Sequence, residues 1–118
     1  MSASLQAGPL GEFEQILLLA LLRLEPDAYG ASIRREIEAR TGRQVLLSAV
    51  YTTLDRLERK RLIEHWIGDP TPERGGRRKK LYRLLPAGAE ALSSSLHAVR
   101  QLAAGLDRRL AARLSGSR

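Results

Sequence analysis

Leu47-Ser48-Ala49-Val50-Tyr51-Thr52-Thr53-Leu54-Asp55-Arg56-Leu57-Glu58-Arg59-Lys60 is the stretch whose reading decides the fold. At about 100° per residue, Val50, Leu54 and Leu57 fall on one side of a helix, with Tyr51 at its edge. Ala49, Thr52, Thr53, Arg56 and Lys60 fall on the opposite side, within an arc of roughly 100°. Ser48 is a good capping residue for the start. Short side chains let a helix backbone approach something closely. Threonine offers a hydroxyl and a methyl, and arginine a planar fork of donors; these are the groups that read base edges and phosphates in a DNA major groove. Taken alone, the stretch reads more simply as an ordinary amphipathic surface helix, so its neighbours decide.

Upstream, residues 1–10 are small and polar and read as a flexible N-terminal arm. Glu12 to Leu24 follows as a largely buried helix, with Phe13, Ile16, Leu17, Ala20, Leu21 and Leu24 at helical spacing. Pro26 stops it. A second helix is expected after Asp27 as N-cap, with Tyr29, Ile33 and Ile37 inward, Arg34, Arg35, Glu36, Glu38 and Arg40 toward water, and Gly42 as its stop. A short turn then leads into the opening stretch. Two helices joined this way form a helix-turn-helix, whose second member enters the major groove.

Downstream, Leu62 to Ile67 reads as a strand, residues 68–76 as a turn-rich loop, and Arg77 to Leu84 as the return strand. Arg74, Arg77, Arg78, Lys79 and Lys80 make this hairpin densely cationic. Alone it is a solvated charge cluster; beside a helix-turn-helix it is a wing placed to hold a DNA backbone or enter the minor groove. Trp66 in the first strand is expected in the core. Pro86 opens a last helix running to about Leu114, about 40 Å long if continuous. Leu92, Leu96, Val99, Ala103, Leu106 and Leu110 alternate spacings of four and three, a heptad seam. A domain this small does not cover such a helix, so part of the seam is expected to pack on a twofold copy.

The chain has 118 residues, 43% hydrophobic and only 4% aromatic, with a formal net charge of +7. That suits one aliphatic-cored domain plus one extra element, with polyanionic partners. Cysteine is absent, which removes disulfides, thiolate metal sites and cysteine nucleophiles. His65 and His97 lie on different elements without a partnered carboxylate, so neither a catalytic site nor a metal site is expected, and no cofactor. The longest apolar run, Ile16 to Leu22, is too short for a membrane span, and acidic Glu12 and Glu14 precede it where a signal peptide is basic. The chain reads as soluble and cytoplasmic.

With these pieces in view, the sequence resembles the PadR family of bacterial transcriptional regulators over roughly Leu10 to Leu92. The resemblance is carried by Leu10-Gly11-Glu12-Phe13-Glu14, by Ala28-Tyr29-Gly30-Ala31-Ser32-Ile33, by residues 47–58 of the opening stretch, and by Lys80-Leu81-Tyr82-Arg83-Leu84 before an Ala87-Gly88 helix start. It implies a homodimeric winged-helix repressor on a palindromic promoter site. Its C-terminal helices would build the dimer, and its third helix and wing would contact DNA. Some members release DNA when a small-molecule effector binds near the dimer interface. Two positions depart from the family pattern. Arg61 stands where the family usually has a glycine, and would be strained in a left-handed conformation. Leu85 stands where a threonine often caps the last helix.

The expected fold is therefore mainly α with a two-stranded β wing: a winged helix-turn-helix over 11–85 and a C-terminal dimerisation helix and tail over 86–118. The expected DNA-contacting residues are Ser48 as cap, Ala49, Thr52, Thr53 and Arg56 at base edges, and Lys60, Arg74, Arg77, Arg78 and Lys79 at phosphates and the minor groove. The rival reading is a winged helix that binds an acidic protein instead of specific DNA.

Overall fold

The computed structural model describes residues 8–70 and 78–116. Among the described residues, five helices and a two-stranded antiparallel sheet follow in the order α1 (Glu12–Leu24), α2 (Gly30–Thr41), α3 (Leu47–Arg59), β1 (Ile63–Pro70), β2 (Arg78–Leu84), α4 (Pro86–Ala103) and α5 (Asp107–Leu114). The expected mainly helical winged fold is the one observed.

Helix α1 occupies the residues its apolar spacing marks out. Leu17, Leu18 and Leu21 are fully buried, each contributing about 1.5–3 kcal/mol of apolar burial. Its acidic first turn suits the positive end of the helix dipole. Glu14 closes that turn by accepting the Gly11 N–H at 3.0 Å.

Helix α2 starts later than expected. Tyr29, not Asp27, is its cap residue, because Ser32 Oγ accepts the Tyr29 N–H at 2.9 Å and satisfies the turn from inside. Gly42 ends it at φ 74°, as expected.

Helix α3 is capped by Leu46 without a side-chain bond, so Ser48 lies inside the first turn and is not the cap. An apolar stripe strong enough to pack Val50, Leu54 and Leu57 at 0% exposure holds this helix without one. At its other end Arg61 adopts φ 62°. The Leu62 N–H reaches Leu57 O at 3.1 Å and the Arg61 N–H reaches Glu58 O at 2.9 Å, the paired closure of a Schellman turn. The left-handed position is thus required here, and an arginine fills it under strain.

The wing pairs His65 with Tyr82 and Ile63 with Leu84, with an irregularity between Ile67 and Pro70. Tyr82 is 1% exposed; burial pushes its phenol up to about 12, and the Glu58 and Asp55 carboxylates add to this. Its N–H donates to Ala28 O at 2.8 Å, tying β2 to the segment before α2. Trp66 is not a core residue. It is 36% exposed, with the Arg83 guanidinium 5.8 Å from its ring.

The single long C-terminal helix does not form. Helix α4 ends at Ala103, Gly105 takes φ 79°, and α5 starts at Asp107. The heptad spacing runs through the break, but the backbone follows the glycine, which enters left-handed conformations freely. At the start of α4, Leu85 supplies no side-chain cap, and its N–H bonds Leu62 O at 3.0 Å instead. Gly88 allows this approach: a Cβ there would lie 2.1 Å from Leu62 O.

Candidate nucleic-acid interface

Burial fixes which side of α3 is free. Val50, Thr53, Leu54 and Leu57 are buried, while Ser48, Tyr51, Thr52, Asp55 and Arg59 are exposed and Ala49 is half-buried. The free face is therefore turned by about a quarter of the helix from the arc read in the sequence. Arg59 was missed, although its position nine residues after Val50 puts it about 180° from the apolar stripe.

Thr53 is 4% exposed. It belongs to the core side of α3 and does not present its hydroxyl to a groove, which corrects its assignment to base edges. Arg56 and Lys60 are turned toward α1. Arg56 Nε donates to Glu14 Oε2 at 3.0 Å, and Lys60 Nζ donates to the same oxygen at 3.2 Å. Glu14 is 6% exposed. Burial raises its pKa, but the bonds from Arg56, the Gly11 N–H and Lys60 together outweigh burial and hold it below the ordinary 4.5. A second tie, Arg43 Nη2 to Glu12 Oε2 at 2.8 Å, joins the turn before α3 to the same first turn of α1. The acidic start of α1 thus fixes the helix-turn-helix at two points. Glu14 lies 42 residues before Arg56, and no local spacing announces the pair.

On the wing, Arg78 and Lys80 are exposed and Lys79 is half-buried. Lys79 Nζ lies 4.3 Å from the centre of the Tyr29 ring. Arg74 and Arg77 lie outside the described residues.

The C-terminal seam divides in two. Leu92 is 4% exposed and sits in the chain's own core, with Leu96 packed against that core. Val99, Leu106 and Leu110 are 57%, 37% and 57% exposed, and Ala103 is exposed. Leu102 and Leu114, absent from the heptad reading, are the barest at 82% and 85%.

Among the described residues no group of three His, Cys, Asp or Glu side chains could hold a metal ion, and no helix is long and apolar enough to cross a membrane.

Comparison with known proteins agrees with this geometry. The model of the transcriptional regulator PadR-like family matches residues 18–94. An uncharacterized protein of Lysinibacillus sphaericus is 38% identical over 85 residues, 70% of this chain and 73% of its own. A PadR family transcription regulator from Clostridium difficile R20291 superposes with a TM-score of 0.67 at 26% identity, covering 83% of this chain and 98% of that one. A PadR-like transcriptional regulator from Bacillus cereus shares the fold at a TM-score of 0.66 and 18% identity, over 92% of this chain and 97% of its own. The chain belongs to the PadR-like family of DNA-binding transcriptional regulators, a family of regulators and not of enzymes.

Proposed function

We propose that this protein is a repressor that binds a palindromic promoter site as a homodimer and blocks polymerase by occupying it. The observation that carries the reading is the free face of α3, where Ser48, Thr52 and Arg59 stand exposed beside the cationic strand β2. Ser48 and Ala49 let the start of α3 come close to a groove floor. Thr52 supplies the hydroxyl and methyl suited to base edges. Arg59 takes the reading role earlier given to Arg56, while Arg56 and Lys60 fix the pose of α3 through Glu14. Arg78 and Lys79, with added charge from Arg74 and Arg77, hold phosphates.

The uncovered apolar residues Val99, Leu102, Leu106, Leu110 and Leu114 support a second copy as the partner of the C-terminal region. Two reading helices related by a twofold axis match two half-sites of a palindrome. Release by a small molecule bound near that seam completes the reading. Such a ligand would meet aliphatic walls, because residues 86–114 contain no Phe, Tyr or Trp.

Selection of bound duplexes from a random DNA pool at fixed salt tests this. A twofold-symmetric motif is the expected result. An asymmetric motif overturns the dimeric mode, and no enrichment overturns sequence-specific binding in favour of a protein-binding winged helix.

A further inference from the structure

Tyr29 stands just before α2, and its ring gathers two cations. Lys79 Nζ of β2 lies 4.3 Å from the ring centre. The Arg35 guanidinium of α2 lies 5.8 Å from it, and Arg35 Nη2 donates to the phenol oxygen at 3.0 Å. Two like charges brought to one ring repel each other unless a counter-charge joins them. Among the described residues neither has a carboxylate partner: the ion pairs use Arg40, Arg43, Arg56, Lys60, His65 and Arg83. The cluster is therefore a place where an anion would meet two cations left without a carboxylate partner.

Its position says which anion. The next residue, Gly30, lies under the Tyr51 ring, where a Cβ would come within 2.5 Å of that ring. Tyr51 is 45% exposed and adjoins Thr52 on the free face of α3. Lys79 adjoins Arg78 on the wing. The cluster thus joins the strand assigned to DNA to the segment before α2, whose Gly30 packs against Tyr51 of the helix assigned to DNA.

We propose that Tyr29, Arg35 and Lys79 form a clamp for one phosphodiester of the DNA backbone. The inference rests on the reading of α3 and β2 as the DNA-contacting elements. Arg35 offers a fork of donors and Lys79 a compact charge. The Tyr29 hydroxyl accepts from Arg35 and keeps its own proton to donate to a phosphate oxygen. The ring already gathers both cations, so less side-chain freedom is lost on binding. A contact of this kind sets the position of the protein and carries no sequence preference.

The test uses the full chain, a duplex recovered by selection and a scrambled duplex, each titrated over a salt series. Arg35→Ala is expected to weaken both duplexes alike, by about three- to tenfold, and to lower the salt slope by about one. Arg35→Lys is expected to restore the slope. Tyr29→Phe keeps the ring and loses the hydroxyl, with an expected loss of about twofold or more and an unchanged slope. Unfolding midpoints verify that each variant folds, and Tyr29→Phe decides alone if Arg35→Ala does not. Unchanged binding of both duplexes overturns the clamp, as does a loss confined to the selected duplex. Saturation by inorganic phosphate at micromolar concentration, at matched ionic strength, assigns the site to a free anion and also overturns it. Failure of the unaltered chain to bind any duplex overturns the underlying reading instead.

Discussion

The residues from Leu10 to Leu92 and those from His97 onward are built on different terms. The first region encloses its own core: α1, α2, α3, the wing and the start of α4 meet around leucines and isoleucines almost without exposure. In the second, every described residue is exposed. Helix α5 has eight residues, well under the roughly 12–15 at which even a favourable isolated helix becomes marginal in water. Its leucines, with Val99 and Leu102, remain uncovered. The first region has the packing to stand by itself, while the second is left bare by the described residues, as the proposed dimer requires. A substitution should therefore cost folding energy in one region and association in the other.

The largest effect expected is at Leu54, fully buried in α3. Leu54→Ala should lower the unfolding free energy by about 2–5 kcal/mol, measured by urea denaturation. A loss below about 1 kcal/mol would mean that the body is looser than its burial implies.

Next comes Glu14. Its partners Arg56 and Lys60 are 42% and 33% exposed at the side chain, so solvent weakens the attraction, and Glu14→Gln is expected to cost about 1–2 kcal/mol. Glu14 has a folded-state pKa below its ordinary 4.5. Its charge therefore stabilises the fold above that value, and the contribution disappears as the pH falls through the lowered one. Urea midpoints taken from neutral pH downward should show a shallower acid decline in Glu14→Gln than in the unaltered chain. Parallel declines would remove Glu14 as a source of acid sensitivity.

Arg61→Gly should raise stability by about 1 kcal/mol, because glycine adopts φ 62° without the Cβ clash. A drop in thermal midpoint would show that the arginine side chain contributes more than its backbone costs.

The smallest effect on folding is expected at Val99. Val99→Glu should change the unfolding free energy of the monomer by no more than about 0.5 kcal/mol, while light scattering shows a loss of dimer. An unchanged mass would break the contrast between the two regions, since the bare seam would then serve some other contact.

Much of the body was legible because it follows periodicity and punctuation. Helix α1 fills its apolar run and Gly42 ends α2. What escaped depends on distant partners. Thr53 looked outward on a helical wheel but is small enough to sit at the edge of the core stripe. Arg56 looked free because nothing local reveals Glu14. Tyr29 looked like an inward residue of α2, with Arg35 facing water, until the wing strand brought Lys79 to the same ring. In the C-terminal region two local signals conflicted, a heptad repeat and Gly105. The repeat describes where side chains would point on a helix, whereas the glycine governs whether that helix continues.

The break at Gly105 bears on the DNA as well as on the chain. In the proposed dimer it falls inside the seam, between Val99 and Leu102 of α4 on one side and Leu106, Leu110 and Leu114 on the other. The seam changes direction there, so a second copy would have to follow the turn instead of pairing along one straight helix. Helix-turn-helix dimers span half-sites about 34 Å apart, and in the proposed dimer the angle taken at Gly105 would set that span. The half-site spacing recovered by selection would then report the geometry of the chain at Gly105.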